Sequence, residues 1–248
     1  MNPVLDLSNL RPKLAMMEDS LIFALFERAK FALNPAIYDG QSLRVPTFQP
    51  ANQSDFFPLL TAGDIAPSLF EVILKETERL HALLGRFQHP EEYPFSEGLP
   101  APVLRRDYGP RPIRQVGLNW NSKIREAYLK AVTQFCMPGD DKHYGSAAVC
   151  DVNCLFALSH RIHFGQYIAE SKVQSDPGYV DLIATGDRGS ILTRLTNSAV
   201  EAQVLERVKQ KGERYGFNPD FIASFYREQI IPMTKEVEVE YLIRRGAD

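Results

Sequence analysis

The sequence predicts an all-α protein: one domain over residues 1–248, a multi-helix bundle with long irregular connections and its site between helices. Three observations carry that prediction. Apolar residues recur at steps of three and four over long stretches, the spacing that lines one face of a helix. No alternating apolar and polar run is long enough for a half-buried strand. Proline and glycine concentrate in two excursions and a few short breaks, with no internal repeat, no low-complexity tract and no linker that would divide the chain.

The elements follow in order. Leu14, Met17, Leu21 and Leu25 step along a first long helix, with Ser8 as its N-cap and Pro12 in the first turn, where a missing N–H costs little. Between residues 34 and 63, Pro35, Gly40, Pro46, Pro50, Pro58 and Gly63 predict an irregular connection. A second helix is expected at about 65–87. Pro90, Pro94, Gly98, Pro100, Pro102, Gly109, Pro110 and Pro112 then mark a second excursion. From about Asn121 the chain reads helical almost to its end, with breaks near Pro138–Asp141, Asp176–Gly178, Gly186–Gly189 and Gly216–Pro219. The last segment, Asn218–Arg245, carries the stripe Ile222, Tyr226, Ile230, Met233, Val237 and Tyr241.

Composition narrows the function classes. The chain has 248 residues, 44% of them hydrophobic, enough for one large core or two small ones. A net charge of −3 with no concentrated basic block argues against a nucleic-acid partner. No apolar run approaches the roughly 18–20 residues that cross a bilayer. The first residues, MNPVLDLSNLRPK, have neither a basic region followed by an apolar one nor the composition of a transit peptide, so no targeting segment is expected. Three cysteines, Cys136, Cys150 and Cys154, fit a reduced, cytoplasmic protein.

Charged residues stand where the helices should bury apolar ones. Thr234 and Glu238 are one turn apart beside the C-terminal stripe. Arg161 and Lys172, eleven residues apart, would fall within about 20° of one helix face and roughly 16 Å apart along it. Asn197 and Glu201 are a further i,i+4 pair. Buried charges are costly unless paired or ligated, so these residues predict either a polar pocket or structural ion pairs such as Arg161 with Glu238. Lys235, Glu236 and Glu240 read as a solvated face, with Glu240 and Arg244 as a surface pair. His160 and His163, without an acidic helper, do not make a zinc motif, and the cysteines do not form a CxxC pair, so no metal is expected. No phosphate loop or nucleophile elbow is present.

The segments LRPKLAMMEDSLIFALFERA, GDDKHYGSAAVCD, RIHFGQYIAESK, TNSAVE and PMTKEVEVEYLIRR, in order from about Val4 to Arg245, resemble the all-helical chorismate mutases of fungi and plants. The resemblance implies conversion of chorismate to prephenate by a [3,3] rearrangement without a cofactor. It implies that Arg11 and Arg161 bind the two substrate carboxylates. Lys172 would donate to the ether oxygen and a carboxylate, with Glu238 facing the same oxygen as a protonated donor. Glu201 would receive the substrate hydroxyl, with Asn197 and Thr234 as supporting contacts.

It also implies a homodimer with tryptophan and tyrosine as effectors at a site between subunits, where Arg86, Gly145 and Ser146 match part of the pattern. Gly85, Val149 and Asn218 depart from the fungal pattern, which holds arginine, threonine and threonine there. The segment YGFNPDF before the last helix is also shorter than in fungal members. Those departures leave amino-acid control open. Two other readings stand beside this one: a non-catalytic helical protein that binds a small dicarboxylate or an aromatic amino acid, and an exported enzyme acting on a host's chorismate.

Overall fold

The computed structural model describes residues 5–43, 67–105, 108–109 and 111–246, and among them the only regular structure is helical. The helices are α1 (Leu7–Ala29), α2 (Leu69–Leu83), α3 (Asn121–Phe135), α4 (Tyr144–His163), α5 (Gly165–Ser175), α6 (Gly178–Thr185), α7 (Arg188–Leu195), α8 (Ser198–Tyr215), α9 (Pro219–Phe225) and α10 (Ile231–Gly246). Single 3₁₀ turns lie at Pro35–Tyr38 and Arg86–Gln88. From residue 44 on, the connection predicted for 34–63 lies outside the described residues, as do the expected start of the second helix at 65 and Pro110.

Caps shift several predicted boundaries. Asp6, not Ser8, starts α1: its Oδ1 accepts from Ser8 N at 2.7 Å and from Ser8 Oγ at 2.6 Å. Pro12 is therefore the sixth helical residue. The Ser8 carbonyl that it leaves without a donor belongs to an exposed residue, where water can take over. The second helix begins at Leu69 because Ser68 and Glu71 form a capping box, with Glu71 N donating to Ser68 Oγ at 3.3 Å and Ser68 N to Glu71 Oε2 at 3.0 Å. It ends at Leu83, before Gly85, which adopts φ +79°.

Two breaks escaped the sequence reading. At Phe164, buried to 1%, the chain passes from α4 into α5. At Asn197 the chain leaves α7 and starts α8, the Asn197 side chain accepting from Val200 N at 3.1 Å. Arg161 and Lys172 thus stand on two successive helices rather than one. Asn197 is a cap residue, not the start of an i,i+4 helical pair with Glu201.

The C-terminal stripe is buried as predicted, each of its six residues at 8% exposure or less. Its five steps from Ile222 to Tyr241 cover 19 residues, whereas five α turns cover about 18. A π turn at Tyr226–Ile230 absorbs the surplus residue, with Ile231 N–H donating to the Tyr226 carbonyl. Pro232, next along the chain, has no N–H to give the ladder, so the irregular turn sits where a regular one would be interrupted anyway.

Packing divides into two apolar clusters. One joins Leu21, Ile22 and Leu25 of α1 to Phe70, Ile124, Leu155, Leu158, Ile162, Ile222, Met233 and Val237. The other joins Leu10 of α1 to Phe164, Tyr167, Ile191, Leu195, Val239, Tyr241 and Leu242. Three elements, α1, the α4–α5 pair and α10, run from one cluster into the other. The seam between the clusters is where charged side chains can enter the bundle.

Arg28 anchors the far end of the bundle. It is fully buried, its Nε donates to Asp151 Oδ1 at 2.6 Å, and its Nη groups reach the carbonyls of Phe31, Ala32 and Leu33. The Tyr38 and Tyr128 hydroxyls donate to the same carboxylate. Removing one partner of such a pair strands the other charge, so Asp151→Ala is expected to cost about 3–5 kcal/mol of stability. Denaturant unfolding measures this directly, and a loss under 1 kcal/mol would remove the pair from the list of structural determinants.

The second excursion, between α2 and α3, is irregular yet pinned. Glu78 accepts from Phe95 N at 2.6 Å and Ser96 N at 2.7 Å. Asn121 Nδ2 donates to the carbonyls of Tyr93 and Pro94, both at 2.9 Å.

Candidate active site

Arg161 lies in the last turn of α4, 5% exposed, where a cation also meets the negative end of the helix dipole. Its Nε and Nη1 are buried and have no hydrogen-bond partner among the described residues. The hydroxyl of the fully buried Tyr226 is likewise unpartnered. The guanidinium acts electrostatically on that phenol, but without hydrogen-bond geometry. A buried donor left unsatisfied costs about 1–3 kcal/mol, more when charged. Such a guanidinium has the chemistry of a receptor for an anion that comes from outside the chain.

Lys172 on α5 reaches Glu238 on α10, Nζ to Oε2 at 2.9 Å, and also donates to the Leu195 carbonyl at the end of α7 at 3.1 Å. Three helices thus fix one ammonium group. Burial pushes the Glu238 carboxyl up from its ordinary range, and Lys172, Arg161 and Lys235 oppose the shift. The Arg161–Glu238 ion pair considered from sequence is replaced by Lys172–Glu238, which leaves the guanidinium free.

Thr234, 8% exposed, spends its hydroxyl proton on the Ile230 carbonyl at 2.7 Å, so its oxygen can only accept. Glu201, one turn into α8, pairs with Lys235 at 3.0 Å. Lys235 is therefore not part of a solvated face. No local spacing signals this pair, because Glu201 lies 34 residues away on another helix. Glu236 and Glu240 do meet surface partners, Lys123 at 3.1 Å, and Arg244 at 2.7 Å with Arg188 at 2.8 Å. Arg11 stands exposed on the second turn of α1, beside Leu10 of the second apolar cluster, and makes no ion pair with the other residues of the set. Asn197 caps α8 through its oxygen, which leaves its amide N–H groups free to donate.

Gly165 is a site residue that the sequence reading missed. A Cβ there would lie 3.1 Å from Thr234 Cγ2 and from the Thr234 carbonyl, and 3.3 Å from Glu238 Cγ. The glycine lets the α4–α5 junction press directly on the helix that carries Thr234 and Glu238. Gly165→Ala is expected to push α10 outward and cost about 1–3 kcal/mol through overpacking, more than alanine's helix propensity returns. A thermal melt and kcat should both fall. A stabilised, fully active variant would show that the close approach has no function.

The two histidines have structural partners. Burial pushes His163 down to about 4, so it is neutral at pH 7, and its Nε2 accepts from Trp120 N at 2.9 Å. His160 meets Glu91 at 3.1 Å. No group of three His, Cys, Asp or Glu side chains among the described residues could hold a metal ion, and no described helix is long and apolar enough to cross a membrane.

The residues matched to an effector site lie along α4 on the N-terminal side of Arg161. Arg86 pairs with Glu92 at 3.0 Å and stands 4.5 Å from the centre of the Phe156 ring on α4. Gly145 and Ser146 are exposed in the first turn of α4. Within this chain Arg86 does not contact them. Gly85 explains its own departure from arginine: a Cβ would fall 2.6 Å from the Leu104 carbonyl, at a positive φ. Val149 is 48% exposed on α4, and Asn218 caps α9 by accepting from Asp220 N and Phe221 N, both at 3.1 Å.

Comparison with known proteins bears on this geometry. The family model described as "Chorismate mutase type II" matches residues 143–239, the stretch from the start of α4 to Val239. The chorismate mutase of Emericella nidulans is 38% identical over 264 residues, covering 97% of this chain and 92% of that protein. The crystal structure of the Candida albicans chorismate mutase in complex with L-Trp superposes with a TM-score of 0.87 at 38% identity, covering 99% of this chain and 93% of that one. A second similar structure, AtCM1 with tyrosine bound in its allosteric site, gives a TM-score of 0.86 at 36% identity, with 99% and 98% covered.

Proposed function

This chain belongs to the chorismate mutase family and is an isomerase of aromatic amino acid biosynthesis that converts chorismate to prephenate, and from that premise we propose how its residues divide the work. In the reaction an ether C–O bond breaks as a new C–C bond forms within one dianionic molecule. The enzyme must hold that molecule in its compact reactive shape and stabilise charge on the departing oxygen, which is proximity combined with electrostatic preorganisation.

Arg161 takes one substrate carboxylate, and its two unspent buried N–H groups are the observation that carries the proposal. A guanidinium fork suits this because it grips a carboxylate at two points and fixes its angle. Arg11 takes the other carboxylate from α1. Lys172, held by the Leu195 carbonyl, donates to the ether oxygen, and protonated Glu238 donates to it from the opposite helix. Glu201 accepts the substrate hydroxyl, and Lys235 holds that carboxylate in place. Asn197 and Thr234 complete the polar lining. Lys172→Met is expected to lower kcat for prephenate formation by at least 100-fold. A variant within fivefold of wild type would take Lys172 out of that role.

The two apolar clusters share α1 and α10, which supports one domain over residues 1–248. We further read the chain as a homodimer. Arg86 packs at Phe156, ten residues along α4 from Ser146, about 15 Å away. One amino-acid ligand spans both only if a second copy supplies one of them. Tryptophan and tyrosine, the ligands named for two similar structures, are the proposed effectors. The test is prephenate formation with and without each amino acid, alongside light scattering. Arg86→Ala should abolish any response, and a fully active monomer would refute the shared site. The three unpaired cysteines support a reducing, cytoplasmic setting.

A further inference from the structure

A second cavity lies outside the Arg161–Lys172–Glu238 cluster, within the excursion between α2 and α3. Its volume is about 270 Å³, its two walls come from segments 87–94 and 111–119, and Gln166 on α5 lines its base. A cavity of about 150 Å³ already admits benzene when its lining is apolar. There is room here for a ring and a carboxylate. Phe87, Ile113 and Val116 supply apolar wall.

Two polar groups at this cavity are donors with no acceptor among the described residues. Gln166, 2% exposed, gives its amide N–H to the Tyr93 hydroxyl at 2.9 Å, so the Tyr93 O–H must point elsewhere, and no described residue accepts it. Arg111 makes no ion pair or hydrogen bond among the described residues, yet its charge acts on the hydroxyls of both Tyr93 and Tyr167. Tyr167 is 3% exposed, follows Gln166 directly, and its buried hydroxyl has no partner at all among the described residues.

Among the described residues, two donors without an acceptor therefore line the cavity, Tyr93 and the cation Arg111, and the Tyr167 hydroxyl feels the same positive charge. The nearby carboxylates among the described residues are already committed. Glu92 in the cavity wall is paired with Arg86, and Glu91, which raises both phenols, is bonded to His160. Arg114, also in the wall, donates to the Arg245 carbonyl and adds a second positive charge.

We propose that this cavity is a binding site for a small organic acid with a ring and a carboxylate, separate from the mutase site, with Arg111 and Tyr93 receiving the carboxylate and the ring against Ile113 and Val116. An anion supplies the acceptor that the donors lack, and a ring fills the apolar wall better than phosphate would. The inference rests on this cavity alone and does not depend on the roles assigned to the mutase residues.

Benzoate is a suitable probe, and the chain carries its own reporter. The single tryptophan, Trp120, donates its backbone N–H to His163, which stacks on Tyr93 at 4.1 Å between ring centres. Trp120 fluorescence and titration calorimetry should both show saturable benzoate binding to the whole enzyme, with inorganic phosphate giving none. Because Arg161 also attracts anions, the same titration is made on Arg161→Gln and on Lys172→Met, and binding should persist in both. Arg111→Gln and Tyr93→Phe, which leave the fold's packing in place, should each weaken binding at least tenfold. Absence of saturable binding to wild type overturns the proposal. So does undiminished binding to Arg111→Gln and Tyr93→Phe. Loss of binding in the Arg161 and Lys172 variants would place benzoate in the mutase site and overturn it equally.

Discussion

Replacing Arg161 with alanine is expected to lower kcat/KM for chorismate by about 10³-fold. Two buried nitrogens of the side chain, Nε and Nη1, have no partner among the described residues, and the bound substrate is the proposed acceptor for both. A hydrogen bond to a charged group contributes about 1.5–3 kcal/mol, so two contribute about 3–6 kcal/mol, or two to four orders of magnitude. A desolvated cation whose donors are unspent costs the fold more than the helix dipole returns, which separates this effect from a general loss of structure. Arg161→Met keeps the packing of the arginine stem and removes the desolvated charge, so it should melt at or above the wild-type temperature while losing the same activity. An inactive variant that also melts far below wild type would mean that the guanidinium supports the bundle, contrary to the role proposed.

Glu238→Ala is expected to lower kcat by about 10²–10³-fold, the range for removing one oxyanion-type donor. Glu238→Gln should change the pH dependence instead. Burial holds the carboxyl above its ordinary value of about 4.5, with Lys172 opposing, and a bound dianion would raise it further. The neutral form is the donor, so wild-type activity should fall as pH rises through that raised value. An amide donates at every pH, so the Glu238→Gln profile should be flat across the same window.

Stability follows the same proton. Between about 4.5 and the raised value the folded state binds more protons than the unfolded one at this site, so the stabilising contribution is complete below 4.5. It is lost as pH rises through the folded value. Glu238→Gln should remove that slope from denaturant-unfolding free energies measured as a function of pH. A pH profile identical to wild type in both measurements would take Glu238 out of the donor role.

Much of this was legible in the residues. The stripe from Ile222 to Tyr241 gave both the C-terminal helix and the face it buries, because three- and four-residue spacing leaves few other readings. The positions of Arg161, Lys172, Thr234 and Glu238 beside apolar faces raised a polar pocket before any contact was known. What could not be read were the junctions. Asn197 interrupts a helix without a proline or glycine at the break, the lone Gly165 after Phe164 reads as a glycine tolerated inside a helix, and Asp6 outcompeted Ser8 for a cap that either could form. Lys235 looked solvated because its partner, Glu201, is 34 residues away and on another helix.

The sequence by itself determined the helical class, the buried faces and the chemical types gathered for the site, since those depend on periodicity and on the cost of burying charge. Tertiary structure alone decided who pairs with whom. Lys172 rather than Arg161 takes Glu238, because the break at Phe164 redirects α5 and the bare Cα of Gly165 lets α10 press against the junction. The arginine is left with donors unspent among the described residues, an outcome of the three-dimensional approach of helices that no local pattern encodes.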